Sequence, residues 1–169
     1  MNIKQKKVLI RCADDSVIIL SFVLDDGHFV KRLGTKEEID LEISRHSTAW
    51  EPSRLPIKGW EIITDEDLPS TREYRNAWVN HGLDKPKGKK IEHDMPKARE
   101  IKKNALRLLR FPLLQQLDAE YMMSLEQGNS EESNKIAKEK QRLRDITSDP
   151  RIEAAKTIED LGPISINPQ

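Results

Sequence analysis

From Asp94 to Ile146 the apolar residues recur at helical spacing, and this segment limits the fold more than any other. Ile101, Ala105, Leu108, Leu109, Leu113 and Leu117 begin the stripe, and Tyr121, Met122 and Leu125 continue it. Asp94 is suited to cap the start, and Pro96 fits the first turn. Pro112 lies inside the stripe. It removes a backbone donor and crowds the preceding turn, which predicts a kink or break near Arg110-Phe111. Gly128 ends the first helix, and Asn129 with Glu132 starts a second that runs to about Ile146. Its apolar positions, Ile136, Leu143 and Ile146, are sparse. It can pack along one narrow side and leave the rest in water. Asp149-Pro150 opens a further short helix to about Lys156. Gly162 and Pro163 end ordered helix, which leaves Ile164 to Gln169 as a loose tail.

The first half reads differently. Lys7–Arg11 and Val17–Leu24 are rich in Val and Ile and predict strands, with Asp14-Asp15 as the turn. Asp26-Gly27 predicts a hairpin into a third strand, His28–Leu33. Thr35 with Glu38 forms a capping box for a helix from Lys36 to about Arg45, with Ile39 and Ile43 on one face. Trp50–Lys58 holds Pro52 and Pro56 and reads as a loop. Trp60–Thr64 is a short strand closed by Asp65-Glu66-Asp67, and a helical turn lies between Ser70 and Trp78. The expected class is α+β: a small antiparallel β-meander with a short helix, followed by a long helical hairpin. The expected organisation is a small α+β domain over 1–80, a basic loop or linker over 81–93, the hairpin with its short C-terminal helix over 94–160, and a loose tail over 161–169.

Composition narrows the function classes. Hydrophobic residues are 36% and charged residues 34% of 169, so a thin core and a large wetted surface are expected. Lys+Arg and Asp+Glu are 29 each, so bulk charge selects neither nucleic acid nor membrane. The single cysteine, Cys12, has no internal partner, which favours a reducing compartment. Val17–Leu24 is too short for a membrane span and too β-branched for a leader, so a soluble cytoplasmic protein is expected.

No catalytic constellation stands out. His28, His46, His81 and His93 are scattered, with no CxxC, HExxH or His-x-His pair to hold zinc. Asp14-Asp15, Asp25-Asp26 and Asp65-Glu66-Asp67 are explained by turn chemistry. There is no GxGxxG, Walker loop or nucleophile elbow. The expectation is a protein that is not an enzyme and carries no metal or cofactor. Lys85, Lys87, Lys89 and Lys90 form a basic loop, and further cations line both long helices. Acidic residues are interleaved on the helices, the pattern of a solvated hairpin; nucleic-acid binding is the alternative reading. Leu106, Leu109, Leu113 and Leu117 are candidates for contact with a partner helix or fibre, and equally for this protein's own core. Trp50, in its Pro-rich loop, is a further contact candidate, weighed against covering the sheet edge. A thin core and a long hairpin also make self-association an option.

Three stretches carry a family resemblance. One is Trp60-Glu61-Ile62-Ile63-Thr64-Asp65-Glu66-Asp67-Leu68-Pro69, continuing through Arg72-Glu73-Tyr74-Arg75-Asn76-Ala77-Trp78. The next is Asp94-Met95-Pro96-Lys97-Ala98-Arg99-Glu100-Ile101, followed by Arg110-Phe111-Pro112-Leu113-Leu114 and Leu117-Asp118. The third is Lys140-Gln141-Arg142-Leu143-Arg144-Asp145-Ile146, leading to Asp149-Pro150. In this order and spacing the chain, over roughly Trp60 to Lys156, resembles small proteins encoded in bacteriophage and prophage structural-gene regions, some labelled tail fibre assembly or tail assembly chaperone proteins. The Lys85–Lys90 loop looks like an insertion against that pattern. The resemblance implies a tail or tail-fibre assembly factor, or a minor virion component, working by protein binding in the host cytoplasm or in the particle. The alternative is a phage protein that binds nucleic acid or blocks a host defence. No catalytic role transfers with the resemblance.

Overall fold

The computed structural model describes residues 4–24, 35–82, 86 and 90–166. The chain divides into two compact units, Met1–Glu92 and His93–Gln169.

The first unit is built on an antiparallel sheet. Strands β1 (Lys4–Arg11) and β2 (Val17–Leu24) pair over their full length, with Arg11 opposite Val17 and Lys4 opposite Leu24. The turn between them works through its aspartates. Asp14 accepts from the Ser16 backbone N–H at 3.0 Å, and Asp15 takes a left-handed φ of 62°. Strand β3 (Gly59–Ile63) adds to the other side of β1, giving the order β2-β1-β3. In the described sheet, then, the strand next to β1 comes from after the first helix. The expected third strand, His28–Leu33, lies outside the described residues.

Helix α1 (Lys36–Ser47) begins with the Thr35–Glu38 capping box read from the sequence. Its Ile39 and Ile43 bury against Val8 and Ile10, and Ile18, Leu20, Trp50, Ile57 and Trp60 close around them. Alternation along β1 sends Leu9 to the opposite face, where it is also fully buried, as a central strand requires. Short 3-10 turns follow at Pro52–Arg54, Asp65–Asp67 and Arg75–Ala77. Two short strands, β4 (Trp78–Val79) and β5 (Glu92–His93), form a second sheet. Asn80 is buried there with its amide used twice: its Nδ2 donates to the Lys90 carbonyl at 2.6 Å, and its Oδ1 accepts from Gly82 N at 2.8 Å.

The second unit is helical. Helix α2 (Met95–Glu126) is capped by Asp94, which accepts from Lys97 N at 3.1 Å. It runs through Pro112 without a break, so of the expected kink or break the break does not occur. Gly128, at φ +65°, turns the chain, and Asn129 caps α3 (Ser130–Asp145) by accepting from Glu132 N at 3.1 Å. Leu106 of α2 and Ile136 and Leu143 of α3 are buried. Arg110 donates to the carbonyls of Leu143 at 3.3 Å and Arg144 at 2.7 Å, groups that the end of a helix leaves unpaired. Lys140 pairs with Asp118 at 2.6 Å and lies 4.7 Å from the centre of the Tyr121 ring.

Helices α4 (Pro150–Ala154) and α5 (Ile158–Leu161) return along α2. Arg99 donates to the Ala155 carbonyl at 2.8 Å, and Lys103 pairs with Glu153 at 2.6 Å. The tail corrects an expectation. Ile164 and Ile166 are buried, and Arg142 donates to the Ile166 carbonyl at 2.8 Å, so the segment to 166 is tied down rather than loose.

Candidate functional site

The long helix leaves one arc bare. Leu108 is 77% exposed and Phe111 61%, and Leu109, Leu113, Met122, Met123 and Leu125 are exposed as well. Leu108, Phe111, Met122 and Leu125 fall close together around the helix, because steps of three and four residues return to one side. From Leu108 to Leu125 this side runs for about 26 Å at helical rise. Large aliphatic and aromatic groups left in water along such a length are uncommon in a chain with few apolar residues to spare.

The sequence candidates separate sharply. Leu109 and Leu113 are exposed, and Leu117 is half-buried. Leu106 is only 1% exposed and belongs to the interior, which corrects its candidacy as a partner contact. It lies on the arc that turns toward α3 with Arg110, Leu117 and Tyr121, while Leu108 and Phe111 turn away. Trp50 is half-buried and packs on the Val8, Ile10, Ile39 and Ile43 cluster. Phe111, Met123 and Leu108 are exposed apolar residues outside the set of sequence candidates. Their signal in the sequence was their apolar identity alone.

Of the basic loop, Lys85, Lys87 and Lys89 lie outside the described residues. Lys90 pairs with Glu61 and is mostly covered. Several cations of the helices are also paired: Lys103 with Glu100 and Glu153, Lys135 with Glu131, Lys140 with Asp118, and Arg142 with Glu139.

The titratable groups do not converge on a reacting centre. No group of three or more His, Cys, Asp and Glu is placed to hold a metal among the described residues. His46 Nε2 lies 3.5 Å from Glu42, and His81 Nδ1 lies 3.9 Å from Asp15. His93 Nε2 is buried without a partner, and burial holds its pKa below the ordinary histidine value. Cys12 is buried, which pushes its thiol pKa up and disfavours the nucleophilic thiolate. No helix among the described residues is long and apolar enough to cross a membrane.

No protein-family model, curated protein or solved structure matches the chain.

Proposed function

We propose that this protein is a bacteriophage or prophage tail or tail-fibre assembly factor, or a minor virion component, that acts by binding a tail-region protein through the bare arc of α2. The exposure of Leu108 and Phe111, at 77% and 61%, carries the protein-binding part of this reading. Covering one such side chain contributes about 1.5–3 kcal/mol, so a partner helix or fibre surface laid along the arc gains from several at once. The resemblance of Trp60 to Lys156 to tail-region proteins supports the choice of partner and a place in the host cytoplasm or the virion. The nucleic-acid alternative draws on Lys85, Lys87, Lys89 and Lys90, of which Lys90 pairs with Glu61.

Co-expression with the tail and tail-fibre genes, capture of the tagged full chain and mass spectrometry of what is retained form the test. Capture of a tail or fibre protein is expected, with recovery falling about tenfold or more in a Leu108→Gln, Phe111→Gln double variant. Equal recovery by that variant removes the arc from the interface, and failure to capture any tail-region protein removes the proposal.

A further inference from the structure

A second feature, independent of α2, lies in the first unit. A cleft of about 310 Å³ opens beside β2. Its charged lining groups are Arg54, Arg72 and Arg75, and the described lining contains no Asp or Glu. None of the three guanidiniums forms an ion pair with a described residue. Like charges gathered without counter-charge repel one another, and an arriving anion relieves that repulsion.

Local structure fixes these groups. Arg54 closes the Pro52–Arg54 turn, and its carbonyl accepts from Ala13 N at 3.1 Å, which anchors it to the β1–β2 turn. Arg75 N donates to the Arg72 carbonyl at 3.1 Å, so those two arginines stand on one tight turn. The Ser16–Val79 bridge and the bond from Asn80 N to the Asp15 carbonyl, 3.0 Å, hold the end of that turn against the start of β2.

Two buried donors in this lining lack acceptors. Trp78 is only 6% exposed, and its Nε1 has no hydrogen-bond partner; Arg54 Nε is likewise buried and unpartnered. Both N–H groups are closed off from solvent behind the cleft surface, so its accessible donors include those of the exposed Arg72 and Arg75. The remaining wall mixes Val17, Ile18, Ile19 and Leu68 with the polar Ser16, Ser21 and Asn76. Alternation on β2 sends Val17 and Ile19 to the face away from Ile18 and Leu20, and Leu68 faces the same cleft.

We propose that this cleft binds an organic phosphate monoester, with its phosphate on Arg54, Arg72 and Arg75 and its substituent along Val17, Ile19 and Leu68. A carboxylate has one charge and two oxygens and is satisfied by a single guanidinium fork, whereas a phosphate dianion uses several forks together. The cleft has space for roughly ten waters at liquid volume, more than a bare phosphate fills, and reaches the lower range of small-molecule sites.

The test uses the full chain with phenyl phosphate, adenosine monophosphate, inorganic phosphate and benzoate as probes. Calorimetry and the indole N–H resonances of the 15N-labelled protein read the outcome. At least one ester is expected to bind more tightly than inorganic phosphate and benzoate and to shift the Trp78 indole signal. Arg72→Gln and Arg75→Gln, both at exposed positions that tolerate the change, should each weaken it about tenfold, as should Arg54→Gln where it folds. Arg45→Gln on α1, whose native partner is Glu42, should leave it unchanged. Ester binding no tighter than that of inorganic phosphate or benzoate overturns the proposal, as does a static Trp78 signal or binding indifferent to the Arg72 and Arg75 variants.

Discussion

Asp15 shows how much one residue of the first turn carries. Its left-handed backbone suits Asp or Asn, and its carboxylate meets Lys58 at 2.7 Å and Arg11 at 2.7 Å. The bonds from Lys58 and then Arg11 lower its pKa to about 2. The folded pKa lies below the unfolded value of about 3.9, so the folded state binds fewer protons. The stabilisation is therefore present above about pH 4 and is lost as pH falls toward about 2. Asp15→Asn keeps the backbone preference and removes the titration. Melting temperatures of wild type and Asp15→Asn, measured from about pH 6 to about pH 2, should differ most at the top of that range and converge at the bottom. A difference that stays constant with pH would exclude Asp15 as the source. The sequence showed Asp14-Asp15 as a turn because aspartate bonds its own backbone nearby. Arg11 lies only four residues before it, whereas Lys58 reaches the turn from a distant segment and could not be assigned to it.

Elements follow the same division between local and distant causes. The starts of α1, α2 and α3 were legible because Thr35, Asp94 and Asn129 cap within three residues of themselves. Helix α5 carries an equally local box, Thr157 with Asp160, and was passed over because only four residues follow it. The burial of Ile164 and Ile166 depends on helices far back in the chain, and no short-range pattern announces that. Pro112 is the instructive case. It removes a donor from the middle of α2 at a cost of about 3 kcal/mol, yet the helix continues. Packing on both sides of it supplies the reason: Arg99 and Lys103 bind the α4 segment before it, and Tyr121 and Asp118 engage Lys140 of α3 after it. Two anchored half-helices keep the helix continuous despite one missing bond. Pro112 is exposed, so Pro112→Ala restores the bond without disturbing a core. Urea unfolding should show a gain of about 1–3 kcal/mol with an unchanged slope. Unchanged or reduced stability would mean that α2 is shaped around the proline.

At the scale of the whole molecule the apolar residues are few, and α2 divides its own between the interior and the surface. A wide apolar stripe on a helix identifies the residues available for burial but not the arc that meets its own chain. That arc is set by α3, α4 and α5, which arrive later in sequence. For this reason Leu106 and Leu109 looked alike in the sequence and separate only in the fold, whereas Leu113, seven residues from Leu106, shares its side and is less exposed than Leu109. The arginines of the cleft were hidden for a related reason: Arg54 is brought to Arg72 and Arg75 by the path of the chain, not by spacing. The division of α2 can be measured on the free protein. Leu106, 1% exposed, should lose about 2–5 kcal/mol on truncation to Ala, because a cavity replaces it. Leu108, 77% exposed and two residues on, should change by no more than about 0.5 kcal/mol, because Ala leaves no cavity there and favours the helix. If chemical denaturation gives Leu108→Ala a cost comparable to Leu106→Ala, the arc is already covered in the free protein, by its own chain or by a second copy, and is not open to a tail protein. A wide gap between the two costs means that the exposed leucines contribute little to folding, which leaves their burial available for binding.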